Sequence, residues 1–247
     1  MMMKLFRRMY GTPEADTPSH AELGKEDPLF QENVNVVRAK FEYKVESLRH
    51  KVLAITSAVA GEGKTLLSAK LALQLASSGR KKVLLVEVDF RKPDIAKVMR
   101  LSPLPGLSEY LSGAVPGKSV FQNSLQPGLF VVPAGTLTGT PADLLTGDRF
   151  KKFLKTVASE FDIVLLDCPP ILPVADTLNL RGQVGGFVFV YRAGMTPHKM
   201  FKKAVDEIGE KNVLGVILND VKRQSQKYYS RYYGKYYHKA VEPEAAE

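Results

Sequence analysis

The stretch VLAITSAVAGEGKTLLSAKLAL, from Val52 to Leu73, restricts this chain more than any other. A strand-like apolar run enters a glycine turn and passes straight into a helical pattern. Gly61, Gly63, Lys64 and Thr65 fit the end of G-x-x-x-x-G-K-[ST], with Ala58 at the first glycine position. Strand, loop and helix in that order are what phosphate binding requires. Glycines let backbone N–H groups curl around phosphate oxygens, and the helix adds its positive N-terminus. Lys64 then reaches the β/γ-phosphates and the Thr65 hydroxyl ligates Mg²⁺. An ordinary glycine-rich turn is the plainer reading, and an intact GKT between a strand and a helix argues against it. The segment Ala60, Gly61, Glu62, Gly63, Lys64, Thr65 and Leu66 is therefore the candidate nucleotide-binding loop, with ATP and Mg²⁺ as the cofactors to expect.

The rest of the chain extends the pattern. Apolar runs beginning at Val52, Lys82, Leu129, Phe161, Gly185 and Asn212 read as buried strands, and helix-like stretches lie near residues 64–78, 147–159 and 196–210. Near-continuous apolar strands separated by helices indicate a parallel sheet covered on both faces. The expected fold is α/β: a single doubly wound, mostly parallel sheet of the P-loop NTPase type. Ahead of it, Phe30, Val34, Val37, Phe41 and Val45 form one apolar stripe, which predicts a helix over about 28–46. The expected division is an N-terminal arm over 1–27, a folded region over 28–221 and a tail over 222–247. The longest apolar runs are strand-sized, well short of the roughly 20 residues that span a bilayer. No signal peptide is read at the N-terminus, and the single cysteine, Cys168, permits no internal disulfide, which fits a reducing cytosol.

Acidic strand ends supply the second half of a metal–nucleotide site. In α/β sheets ligands gather at the carboxyl ends of strands. KVLLVEVDFRKP carries Glu87, Asp89 and Arg91, with Glu87 and Asp89 on one face of the strand; FDIVLLDCPP ends in Asp167. Such acids also serve as helix caps or solvated termini, but a pair of them beside a phosphate loop points to Mg²⁺ or to nucleophile activation. Cys168 has no evident base and reads as a packed strand-end residue. Arg192 and Asn219, at late strand ends, border the base or are ordinary cap residues; His198 reads as part of a helix start.

The chain closes on an unusual segment. Six of its ten tyrosines (Tyr228, Tyr229, Tyr232, Tyr233, Tyr236 and Tyr237) lie between Gln226 and Ala240. Lys222, Arg223, Lys227, Arg231, Lys235 and Lys239 accompany them without an acid, which locates much of the net charge of +9. Such a tail suits an anionic lipid surface, a partner's acidic site or nucleic acid, or is simply solvated. Base stacking on the tyrosines is chemically possible, yet it leaves the metal site unexplained, and no nucleic acid is expected.

AGEGKT, LLVEVDFRKP, VLLDCPP and a terminal tyrosine cluster together resemble the bacterial protein-tyrosine kinases (BY-kinases) of capsule and exopolysaccharide export. The resemblance runs from about Gln31 onward and includes VPAGTLTGTPADLL, PVADTL and RAGMT. It implies autophosphorylation of the tail in trans within a ring-like homo-oligomer, with the six tail tyrosines as phosphoacceptors. Lys64 and Thr65 would hold ATP and Mg²⁺, Asp89 and Asp167 would support the metal, and Glu87 would orient or deprotonate the tyrosine hydroxyl. The sequence departs from the family at Glu87, where an aspartate is usual. It departs again in the E-x-x-R-x-x-R spacing of the oligomerisation helix, where Glu32, Asn35 and Arg38 stand; Glu32 and Arg38 are the candidate interface residues. No membrane-spanning half is read, which implies a cytoplasmic kinase recruited by a separate membrane adaptor of the polysaccharide co-polymerase type. Two rivals share the fold. A nucleotide-switched partitioning ATPase normally has a lysine where Val59 stands here, and a nucleotide-binding pseudokinase scaffold would treat Glu87 as a damaged catalytic position.

Overall fold

The computed structural model describes residues 28–48 and 50–221. The arm expected over 1–27 and the tyrosine-rich tail expected over 222–247 lie outside the described residues.

Among the described residues the sheet has seven strands: β1 (Val52–Ser57), β2 (Val83–Glu87), β3 (Gln122–Asn123), β4 (Leu129–Val132), β5 (Ile163–Asp167), β6 (Phe187–Arg192) and β7 (Val213–Asn219). Their order is β3-β4-β2-β5-β1-β6-β7, and every pairing is parallel except β3 with β4. β1, β2 and β5 are buried at every position, as strands covered on both faces should be. Successive residues serve opposite cores. Leu53, Ile55, Val83, Leu85, Ile163 and Leu165 face one cluster, while Val52, Ala54, Leu84, Val86, Val164 and Leu166 face the other.

The first cluster is covered by α1 (Pro28–Leu48) and α2 (Lys64–Ala76), with α3 (Ile95–Met99) beside them. The stripe read from the sequence does this packing: Val34, Phe41 and Val45 are buried, and Phe30 and Val37 are half-buried. The second cluster lies under α4 (Leu107–Ser112), α5 (Pro141–Thr146), α6 (Asp148–Glu160) and α7 (His198–Ile208). On α6, Phe150, Phe153, Leu154 and Val157 recur at helical spacing and all are buried.

The six strands and four longer helices expected from the sequence are all present, within two residues at most ends. α3, α4, α5 and β3 were not anticipated; at two to six residues each they are too short to establish a period. β5 lies between β1 and β2, with Ile55 and Glu87 both in register with Asp167. That order gathers the carboxyl ends of three strands at one point on the rim, where open α/β sheets bind ligands.

Candidate active site

The site begins in two glycines. Gly61 and Gly63 adopt φ of +86° and +87°, a region closed to most side chains. Gly63 occupies the cap position of α2, and no side chain among the described residues caps that helix. The N–H groups of its first turn therefore remain for a bound group, as anion sites at helix N-termini require. Between the glycines, the Glu62 side chain turns away and is fully buried. Its carboxylate accepts from Val59 N–H at 2.9 Å, from the Thr196 hydroxyl at 2.6 Å and from Arg192 N–H at 3.1 Å. The loop is thus stapled to the connection after β6. The sequence marked Glu62 only as a loop member; a carboxylate between two phosphate-loop glycines was the available signal.

Lys64, Thr65, Asp89 and Asp167, far apart in sequence, converge beside this loop. The Lys64 ammonium lies 2.9 Å from Asp89 Oδ2 and 3.2 Å from Thr65 Oγ1. Burial alone would lower its pKa, but Asp167 and Asp89 outweigh burial and hold it above the usual lysine value. Asp167 is fully buried at the end of β5. Burial raises its pKa, against the Lys64 charge and the Thr65 and Ser68 hydroxyls. Ser68, one turn along α2, donates to Asp167 Oδ1 at 2.9 Å. Among the described residues, Oδ2 has no hydrogen-bond partner. A buried carboxylate oxygen left bare is costly unless a cation or water meets it.

That bare oxygen fits Mg²⁺, with the Thr65 hydroxyl and Asp89 as its companions. Among the described residues, no three His, Cys, Asp or Glu form a cage of their own. Mg²⁺ in nucleotide sites needs none, since one or two carboxylates share it with phosphates and water.

Glu87 behaves differently from its neighbours. It is 1% exposed. Oε1 accepts from Asp94 N–H at 2.5 Å and Ile95 N–H at 2.7 Å, and Oε2 from Ala134 N–H at 3.2 Å. Both oxygens thus hold the start of α3 and the loop after β4. Burial raises its pKa to about 7, aided by the charge of Asp167 and opposed by those backbone N–H groups. In the same loop Asp89 Oδ1 accepts from Lys92 N–H at 3.1 Å. Arg91 forks onto Asp176, Nε to Oδ2 at 2.7 Å and Nη2 to Oδ1 at 3.2 Å. Asp176 is buried, and only its place in PVADTL had marked it beforehand.

Cys168 is buried, and burial together with Asp167 keeps its thiol protonated, so it is the packing residue expected. His198 opens α7, as read. Arg192 and Asn219 both reach the phosphate loop. On α1, Glu32 is exposed, whereas Arg38 Nη1 donates to Gln74 O at 3.3 Å and serves the end of α2. The six tail tyrosines lie outside the described residues. No helix among the described residues is long and apolar enough to cross a membrane.

Comparison with known proteins gives a consistent picture. A family model described as an AAA domain matches residues 50–181. The tyrosine-protein kinase CpsD of Streptococcus agalactiae is 32% identical over 201 residues, covering 80% of this chain and 86% of that protein. The tyrosine-protein kinase ptk of Acinetobacter johnsonii is 30% identical over 204 residues; the match covers 82% of this chain but spans only 28% of ptk. Among solved structures, the kinase domain of the Escherichia coli tyrosine kinase ETK superposes with a TM-score of 0.73 at 31% identity, covering 77% of this chain and 75% of that one.

Proposed function

The chain belongs to the bacterial tyrosine-protein kinases, and from that premise we propose that it is an ATP- and Mg²⁺-dependent autokinase. Its substrates are the tyrosines of its own C-terminal cluster, phosphorylated in trans within a homo-oligomer. Through that reaction it regulates exopolysaccharide or capsule synthesis and export, in the cytoplasm beside a membrane adaptor. The observation that carries this reading is the convergence of Lys64, Thr65, Asp89 and the bare Asp167 oxygen beside the phosphate loop.

The loop's N–H groups and the α2 N-terminus receive the phosphates. Lys64 exchanges Asp89 for phosphate oxygens, which frees a carboxylate as it delivers its charge. Thr65, Asp89 and Asp167 would hold Mg²⁺, which would supply positive charge to offset that of the transferred group. The incoming phenol oxygen bonds to the γ-phosphorus as the bond to the β–γ bridging oxygen breaks. With a phenol pKa near 10, its proton leaves late in that motion and passes to an oxygen of the transferred phosphoryl group, from which solvent takes it. Glu87, both oxygens taken by backbone, fixes the Asp89 loop in place; its part is orientation. Catalysis is positioning and charge neutralisation, which suffices for phosphoryl transfer.

Transfer in trans is tested by mixing two full-length chains. The donor has its six tail tyrosines changed to phenylalanine; the acceptor is Lys64→Met. Phosphotyrosine appearing on the acceptor supports the reading, and an acceptor that stays unmodified beside a donor that turns over ATP refutes it.

A further inference from the structure

A phosphate loop turns its N–H groups toward the ligand, so its carbonyls need donors elsewhere. Here they find them at the ends of the last two strands. Arg192 Nη1, from the end of β6, donates to Gly61 O at 3.0 Å. Asn219 Nδ2, from the end of β7, donates to Glu62 O at 2.9 Å. The approach is close enough that a Cβ on Gly63 would run into the Asn219 amide. The buried Glu62 carboxylate ties the same loop to Thr196 and the Arg192 backbone. Two consecutive loop residues, Gly61 and Glu62, are thus held from behind by one rim of the sheet, and Gly63 lies against it.

The same side chains also hold the residues that follow β7. Arg192 clasps Asp220 Oδ2 through Nε at 3.0 Å and Nη2 at 2.9 Å. Asn219 Oδ1 accepts from Asp220 N–H at 2.9 Å. Asp220 sits at φ +55°, a left-handed conformation uncommon outside glycine. The sequence then runs from Val221 into the basic, tyrosine-bearing segment.

We infer that Asn219 and Arg192 are positioning residues of the phosphate loop, and that through them the loop and the root of the tyrosine tail form one coupled unit. The proposal rests on the nucleotide-loop reading and goes beyond it. Because coupling between sites is reciprocal, nucleotide on the loop stiffens the tail root, and loosening the root weakens nucleotide binding.

The test uses the full-length protein and Mg·ADP. Calorimetry gives the Kd of the unaltered chain and of Asn219→Leu and Asn219→Asp, which keep the size of Asn219 and lose its donor. The expected weakening is about tenfold, the scale of one buried hydrogen bond left unmade. In steady-state kinetics with Mg·ATP the loss is expected to fall more on KM than on kcat. Hydrogen exchange on the unaltered chain is expected to slow on Mg·ADP binding across residues 217–221 as well as in the loop. Equal Kd values, or exchange at 217–221 indifferent to Mg·ADP while the loop is protected, would overturn the coupling. So would a Kd change explained by a lowered unfolding midpoint. An unaltered chain that binds no Mg·ADP would instead defeat the nucleotide-loop reading itself.

Discussion

Two carboxylates one strand apart, Glu87 and Asp167, show how neighbours in register take different duties. Asp167 keeps one oxygen bare beside Lys64 and Thr65; Glu87 gives both of its oxygens to backbone N–H groups. Chelating Mg²⁺ should therefore weaken ADP binding in the unaltered chain, and Asp167→Asn should remove that dependence, with metal affinity reduced by about tenfold or more; titration calorimetry with and without chelator reads both. For Glu87 the expected result of Glu87→Gln is a rate within about tenfold of the unaltered chain, whereas loss of a general base costs about 10²–10⁴-fold. Its pKa also predicts a stability profile. The folded value, about 7, lies above the ordinary 4.5. The folded state therefore holds a proton that the unfolded chain releases. The contribution is fully present below pH 4.5 and is lost as pH rises to about 7, a change on the order of 3 kcal/mol. Denaturant unfolding in chelator at pH 5 and pH 8 should show this fall, and Glu87→Gln should flatten it.

At the scale of elements, long periodic segments were legible and short ones were not. The apolar stripe of α1 and the buried runs of the parallel strands repeat often enough to reveal their period. α3 does not: its five residues are held by the Glu87 carboxylate at the start and by Arg100 in a left-handed conformation at the end. Both anchors are tertiary or conformational facts absent from local pattern. The site divides the same way. Lys64, Thr65, Asp89 and Asp167 were readable because phosphate and metal chemistry demand those types at strand ends. The contacts of Ser68 with Asp167, of Asp176 with Arg91 and of Glu62 with Thr196 were not, because those partners lie 99, 85 and 134 residues away. α1 offers a direct check. Phe41→Ala should cost about 3 kcal/mol by removing a buried ring from the α1–α2 contact, whereas Tyr43→Ala, 74% exposed, should stay within about 0.5 kcal/mol. Denaturant midpoints of the two variants compare them.

Across the whole molecule, the proposed autophosphorylation would reset the charge of the terminal segment. The terminal segment carries six basic residues and six tyrosines. Each phosphate adds about −1.5 to −2 charge at pH 7, so four of them cancel those six positive charges and further ones make the segment acidic. A segment that changes sign in this way is suited to release a neighbour it first attracted. That idea, like the kinase account beneath it, depends on the tail being the substrate. Intact mass spectrometry after incubating the full-length protein with Mg·ATP measures this most directly. The account predicts successive additions of one phosphoryl group each, absent in Lys64→Met and absent when the six tail tyrosines are phenylalanine. An unchanged mass accompanied by steady release of ADP would contradict it.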